Sequence, residues 1–243
     1  MQKNQNKNNY LVIPNKKEYK ALSLDYKNII LSIEIPNLHI DPLIVYKLLG
    51  AENCFYMQKT LPGKDSPFET TMGLKSANIE KINGINPIEK LRKILKKNKL
   101  TTFCNNNYDH NGLFSYFSYE CFQYFDKIPK LKKDPNGCPE CLIIEPELIS
   151  SYDHANNKLI ISKKISSNDN YDPHRKELIK MANYISGQSE ELNTTSLKNI
   201  PGSKTFEITD KNNYLKKIKK IKKEIISGEF IQCVLTQRFT RTS

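Results

Sequence analysis

Residues 228–239 read Gly-Glu-Phe-Ile-Gln-Cys-Val-Leu-Thr-Gln-Arg-Phe, and this stretch says most about the fold of the 243-residue chain. Apolar and polar side chains alternate from Phe230 to Phe239, which predicts a β-strand with one buried face. A lone strand would leave its backbone hydrogen-bonding groups unpaired, so other strands must lie beside it. The stretch therefore predicts a sheet.

The residues before this stretch have the pattern of an amphipathic helix. Asp210 is placed to cap its start, and Ser227-Gly228 is placed to end it. Lysines fill the side opposite an apolar stripe at helical spacing. The stripe consists of Leu215, Ile218, Ile221 and Ile225. Further upstream, the polar residues 188–204 predict a linker between two domains.

Cap and turn signals define the elements of the first domain. Asp41 followed by Pro42 predicts a helix start, and Gly50 predicts its end. Asn86 with Glu89 forms a second cap. Helices are also predicted over 117–125 and 174–185, the second closed by Gly187. Strands are predicted over 28–35, 55–57, 142–144, 148–149 and 159–161, with a turn at 152–157. Residues 1–20 lack a clear period and predict a flexible lead-in.

The composition favours a folded chain with a basic surface. Lys and Arg number 38 against 26 Asp and Glu, which gives a net charge of +12. Because the lysines are spread along the chain, we interpret them as a solvated surface and expect no nucleic-acid or membrane partner.

Targeting signals are also absent from the sequence pattern. Residues 1–10 have no apolar core of a signal peptide, and no apolar run approaches the ~20 residues of a membrane span. Six cysteines without a secretion signal indicate a reducing, cytoplasmic location.

Cys138 and Cys141 form a single C-x-x-C motif. A structural zinc ion needs four ligands, and the nearest further candidate is His154. We interpret the cysteines as ordinary thiols, with a zinc site or redox chemistry as the alternatives. The four histidines, His154 included, are expected at surface or turn positions and not as catalysts.

Four blocks of the sequence resemble anthranilate synthase component I, a family of chorismate-utilising enzymes. They lie at 41–57, 111–129, 138–154 and 228–239. The last block is the most specific, because it is similar to the family's glycine-acid-aromatic-x-glutamine segment followed by Ser/Thr-Gln-Arg-Phe. The order and spacing of all four blocks match the family.

The resemblance implies an α+β fold, with antiparallel sheets and packed helices. It implies a lyase of tryptophan biosynthesis that converts chorismate to anthranilate and pyruvate. The family uses Mg²⁺ and ammonia, which a glutamine amidotransferase subunit (component II) supplies, and it commonly has tryptophan as an allosteric effector. The implied domains are an N-terminal regulatory and partner-binding domain over 21–187 and, over 205–243, the first helix and strand of the chorismate-binding catalytic domain.

The family's catalytic residues and Mg²⁺ ligands lie in its C-terminal half, and no residue of this sequence corresponds to them. We therefore expect a fragment or decayed product of such an enzyme. The alternatives are a non-catalytic remnant that binds a partner or tryptophan, and aminodeoxychorismate synthase component I.

The resemblance also implies site residues. The serine of the family's Leu-Leu-Glu-Ser tryptophan-pocket motif falls on Lys59 or Thr60, depending on the alignment, and its glutamate falls on Gln58 or Lys59. A lysine buried in a small aromatic pocket would be costly, so we expect weakened or absent tryptophan feedback. Four residues of the terminal block match the family and are either active-site lining or interior polar residues that tie strands together. They are Gln232, Thr236, Gln237 and Arg238.

Overall fold

The computed structural model describes residues 10–50, 55–99, 102–103, 112–127, 137–192, 206–207, 211–236 and 239–240. Contacts divide the chain into two units, Met1–Thr195 and Ser196–Ser243. The division falls inside the predicted linker 188–204.

The first unit contains eight strands, four α-helices and a 3₁₀ helix among its described residues. In chain order these are β1 Val12–Ile13, α1 Lys16–Leu22, β2 Asn28–Ile35, α2 Pro42–Leu48, β3 Phe55–Thr60, β4 Pro67–Ile82, α3 Pro87–Lys99, β5 Thr102–Phe103, β6 Phe114–Phe117, the 3₁₀ helix Tyr119–Tyr124, β7 Cys141–Asp153, β8 Lys158–Ser166 and α4 Tyr171–Leu192.

The strands form one sheet in the order β1-β2-β8-β7-β4-β3, with β5 beside β2 and β6 beside β7. Every pairing is antiparallel except the two-residue pairing of β2 with β5. The predicted fold class, an antiparallel sheet with packed helices, is confirmed.

The main core lies between one face of this sheet and the helices. Ile29, Leu31, Ile33 and Ile35 alternate along β2 and are all buried. They belong to the same cluster as Leu178 and Ile185 of α4 and Val45 of α2. Each such side chain contributes about 1.5–3 kcal/mol when fully buried, so this cluster holds the helices on the sheet.

The predicted lead-in over residues 1–20 is wrong from Val12 onward. Asn15 caps α1, since its Oδ1 accepts from Lys17 N at 2.9 Å and Glu18 N at 3.1 Å, while Glu18 Oε2 accepts from Asn15 N at 2.8 Å. Tyr19 is buried. The capping box and this buried ring order the segment although its apolar residues are too few to show a period.

Two predicted helices differ in the structure. The predicted helix over 117–125 is split into strand β6 and the short 3₁₀ helix. The predicted end at Gly187 is also wrong, because α4 continues to Leu192. An exposed glycine inside a helix costs only about 1 kcal/mol, which the packing of the preceding turns outweighs.

The second unit contains β9 Phe206–Glu207, α5 Lys211–Ile226 and β10 Phe239–Thr240, with β9 and β10 paired. The predicted strand over Phe230–Phe239 is wrong for residues 230–236, which form no strand. The alternation is present, but the described residues supply only the two-residue β9 as a neighbour for hydrogen bonding. Gly228 ends α5 with a φ of 85°, as predicted. The predicted cap Asp210 lies outside the described residues.

Among the described residues, no helix has both the length and the apolar character that crossing a bilayer requires.

Candidate functional site

Lys59 and Thr60 lie at the end of β3, which pairs with β4. In this pairing Lys59 is opposite Glu69 and Thr60 is opposite Pro67, with an irregularity between the two pairs. Both side chains are exposed. The structure thus places the first pair of predicted site residues at an open end of the sheet.

The carboxylate of Glu69 organises this end of the sheet. It accepts hydrogen bonds from Lys59 Nζ at 2.8 Å, Ser151 Oγ at 3.0 Å and Thr71 Oγ1 at 3.1 Å. Burial raises the pKa of Glu69, but the hydrogen bonds and the positive charge of Lys59 outweigh burial and leave this pKa lowered. Glu69 is therefore a fixed negative charge, and Lys59 is its counter-ion.

Lys59 is not buried in the structure. Its side chain is 43% exposed and directed to Glu69. The lysine avoids the desolvation penalty by pairing at the surface, so the expected cost of burial does not arise. Any ligand that needs this position must compete with the ion pair.

An aromatic pair lies on the same face of the sheet. The ring of Phe55 in β3 stacks on Phe114 in β6, with ring centroids 4.6 Å apart and an interplanar angle of 16°. Phe55 is opposite Gly73 of β4, and a Cβ added to Gly73 would overlap the Phe55 ring. The glycine is therefore what lets the ring lie flat over β4.

The opposite face of β4 carries a polar contact at the β7–β8 hairpin. His154 Nε2 and Thr70 Oγ1 are 2.7 Å apart, and the His154 ring meets Tyr152 edge-on at 4.9 Å. Tyr152 Oη donates to Leu38 O at 2.7 Å, which connects the hairpin to the segment before α2. His154 is a turn residue with a structural contact, in keeping with its predicted position.

The predicted site residues of the terminal block lie in the second unit. Gln232 and Thr236 are exposed in the irregular segment after α5. Gln237 and Arg238 lie outside the described residues. The structure leaves the role of all four as a prediction.

The cysteine motif places its two thiols in different environments. Cys138 is exposed, whereas Cys141 is buried with Cys121, Ile82 and Ile143. Burial raises the pKa of both Cys121 and Cys141, so these two thiols stay protonated at neutral pH and act as small apolar side chains.

Within the ranges that the structure describes, no group of three or more His, Cys, Asp or Glu side chains is placed to hold a metal ion. These residues therefore do not fit the Mg²⁺ site that the resemblance implies for the family. An open cleft of about 500 Å³ lies elsewhere, between β1, α1 and Phe103, and its walls are mainly apolar.

Sequence reasoning missed Glu69 because it did not predict β4. The signal is present in the alternation of Glu69, Thr71 and Gly73 with Thr70 and Met72. The pattern is weak because a threonine lies on each face of the strand and Gly73 has no side chain, so neither face carries only apolar residues.

Comparison with known proteins gives a consistent result. The family model for the chorismate binding enzyme matches residues 52–243. Anthranilate synthase component 1 of Acetivibrio thermocellus is 23% identical over 254 residues, which cover 93% of this chain and 51% of that protein. The protein of the same name from Buchnera aphidicola is 25% identical over 228 residues, covering 90% of this chain and 41% of that protein.

A solved structure supports the fold. Anthranilate synthase component I from Streptococcus pneumoniae superposes with a TM-score of 0.55 at 14% identity, over 84% of this chain and 48% of that chain. The chain thus spans about half the length of the relatives it matches over most of its own length.

Proposed function

The chain belongs to the chorismate-binding enzyme family, and we propose that its gene product is component I of an anthranilate synthase. The proposed reaction converts chorismate and ammonia to anthranilate and pyruvate. The proposed ammonia source is a glutamine amidotransferase subunit.

The family match over residues 52–243 carries this proposal. It is supported by relatives named anthranilate synthase component 1 that align with 93% and 90% of the chain. The fold shared with the Streptococcus pneumoniae protein is consistent with it. The terminal block with Gln237-Arg238-Phe239 favours this reaction over that of aminodeoxychorismate synthase.

The chemistry assigns different tasks to the two units. Chorismate is a dianion, so its site needs cations and hydrogen-bond donors, and proton transfers accompany amination and pyruvate loss. Gln232, Thr236, Gln237 and Arg238 are the proposed contribution of this chain to that site. The first unit is the proposed regulatory and partner-binding half.

The test is an assay of the gene product isolated from its own cells. Its intact mass is measured first, and the length of the relatives predicts about twice 28.2 kDa. The product is then supplied with chorismate, ammonium and Mg²⁺, and its reaction products are separated.

Anthranilate as the product supports the proposal, and aminodeoxychorismate assigns the chain to the related synthase. A product of 28.2 kDa without activity on chorismate contradicts the proposal and leaves a binding role.

A further inference from the structure

The open cleft between β1, α1 and Phe103 has the size and the walls of a small-molecule site. Its volume of about 500 Å³ lies within the usual ~300–1,000 Å³ of ligand pockets. Most of its lining is apolar and includes Leu11, Val12, Pro14, Ala21, Leu22 and Phe103. Leu11 is 69% exposed, so the cleft leaves apolar surface in contact with water. A molecule with an apolar body would be stabilised by covering that surface.

The walls of the cleft are fixed by contacts that no ligand has to make. Val12 is buried where β1 pairs with β2. The carbonyl oxygen of Pro14 accepts a hydrogen bond from Tyr171 Oη at 3.0 Å. The start of α1 is held by the capping box of Asn15 and Glu18. The cleft is therefore preformed, and a ligand would lose little entropy in ordering it.

Glu18 is the one charged residue among the described residues that line the cleft. Its Oε2 accepts from Asn15 N at 2.8 Å, and a carboxylate has further lone pairs with which it can accept from a ligand. Lys16 and Lys20 of the same helix line a different pocket, between α1 and the start of α4. The described lining thus has a charge of −1, opposite in sign to the +12 of the whole chain.

The undescribed residues that precede and follow these elements in the chain carry charges of both signs. Residues 1–9 contain Lys3 and Lys7, whereas residues 104–111 contain Asp109 and no lysine or arginine. A measured preference for one sign of charge therefore decides whether Glu18 dominates the cleft.

We propose that this cleft binds a small molecule with an apolar body and a positively charged amine, and that Glu18 binds the amine. The proposal goes beyond the proposed reaction and does not depend on it, because the dianion chorismate has the wrong charge for Glu18. A free amino acid is also outside the class, because the carboxylate beside its amine would meet the carboxylate of Glu18.

The test titrates the full gene product with three fluorescent probes that share the apolar dansyl ring. Near neutral pH dansylcadaverine is a cation, dansylamide is neutral and dansylglycine is an anion. Dansyl emission rises and shifts to the blue when the ring enters an apolar site. The net charge of +12 attracts anions to the surface in general, so unspecific binding would favour dansylglycine.

Two variants locate the probe, and a third is the matched control. Ala21→Phe places a ring in the cleft, whereas Lys17→Phe places the same ring on α1 outside the residues that line it. Glu18→Gln removes the charge but keeps an oxygen that can accept from Asn15 N, so the capping box persists. The melting temperature of each variant is measured alongside.

We expect dansylcadaverine to bind one site per chain, about 5-fold or more tighter than dansylglycine. Glu18→Gln should weaken dansylcadaverine by about 2–5-fold, the effect of one exposed charge pair, and leave dansylamide unchanged. Ala21→Phe should weaken all three probes by about 10-fold or more, because it removes the space for their shared ring. Lys17→Phe should behave like the unmodified protein.

The absence of saturable dansylcadaverine binding overturns the proposal, and so does dansylglycine that binds as tightly. Binding that Ala21→Phe leaves unchanged overturns it as well, because the probe then lies elsewhere. If Ala21→Phe lowers the melting temperature, Glu18→Gln decides alone, and equal affinity of that variant for dansylcadaverine contradicts the role of Glu18. Loss of anthranilate formation would contradict only the proposed function.

Discussion

Gly73 determines where the ring of Phe55 lies. The two residues are opposite each other in the β3–β4 pairing, and the ring occupies the space that a Cβ on Gly73 would need. Because Phe55 also stacks on Phe114, the ring cannot move away without losing that contact.

We predict that Gly73→Ala lowers the free energy of unfolding by about 1–3 kcal/mol, the usual effect of overpacking. The control is Gly112→Ala, where an added Cβ meets open space, and it should change stability by much less. Urea denaturation measures both. If overlap with the Phe55 ring causes this loss, Gly73→Ala should lower the free energy of unfolding very little when it is added to Phe55→Ala. Losses of the two single variants that add fully in the double variant would contradict this explanation.

The ion pair of Lys59 and Glu69 leads to a prediction about tryptophan. Lys59 stands where one alignment places the serine of the family's effector motif, and its ammonium group is 2.8 Å from Glu69 Oε2. A ligand at this position would have to separate the two charges. We predict no saturable tryptophan binding by the gene product in isothermal titration calorimetry, and binding near the free intracellular concentration would contradict this.

At the scale of elements, an ion pair as well as apolar packing holds α4 on the sheet. Lys163 of β8 is buried and lies 2.6 Å from Glu177 of α4 and 3.1 Å from Glu147 of β7. Burial raises the pKa of Glu177, but its hydrogen bond with Lys163 and the positive charges nearby outweigh burial, and the pKa is lowered. Burial lowers the pKa of Lys163, but its two carboxylate partners outweigh burial, and the pKa is raised.

The opposite pKa shifts of Glu177 and Lys163 determine how this ion pair contributes to stability as the pH changes. A carboxylate whose pKa is lowered on folding stabilises the fold above its unfolded pKa of about 4.3 and loses that contribution as the pH falls through the folded value. A lysine whose pKa is raised stabilises the fold below its unfolded pKa of about 10.4 and loses that contribution as the pH rises through the folded value.

We predict that Glu177→Gln lowers the free energy of unfolding by about 2 kcal/mol at neutral pH, because Lys163 loses a charged hydrogen-bond partner in a buried position. The difference from the unmodified protein should shrink as the pH falls below about 4. Denaturant titrations between neutral and acidic pH check this, with Asp65→Asn in the exposed loop before β4 as the control. A difference that is constant with pH would assign the effect to packing.

Elements with a strong local signal were predictable from the sequence. The predicted helix after Asp41 and the predicted hairpin around His154 are confirmed. Both could be predicted because a helix cap and a tight turn depend on residues that are adjacent in the sequence. Strand β4 was missed because threonines and Gly73 weaken its local alternation, and because that alternation says nothing of its neighbours β3 and β7 in the sheet. Of the candidate site, the sequence predicted the position of Lys59 but not its contacts. The resemblance pointed to Lys59, whereas its partner Glu69 lies in β4, the strand that was missed.

At the scale of the whole molecule, the two units differ in how much apolar surface they bury. Helix α4 of the first unit has Leu178, Ala182 and Ile185 fully buried. Helix α5 of the second unit has no buried residue, although its apolar stripe was predictable. A helix of this length without tertiary packing is marginal in water.

We predict that the amide protons of α5 in the 243-residue chain exchange with solvent on the order of 100-fold faster than those of α4 between residues 171 and 185. Hydrogen exchange followed by mass spectrometry resolves the two helices. Comparable protection of α5 and α4 would show that the stripe of α5 is covered in solution.

The pairing of β2 with β8 has a consequence for synthesis of the protein. Strand β2 ends at Ile35 and its partner β8 begins at Lys158, about 120 residues later. At the usual pace of translation, about 5–20 residues per second, the ribosome takes roughly 6–25 s to produce the partner of β2. For that time the nascent chain carries Asn28–Ile35 without its neighbour β8, although Ile29, Leu31, Ile33 and Ile35 of this strand are buried in the folded protein. This strand is therefore a segment that a chaperone on the growing chain would protect.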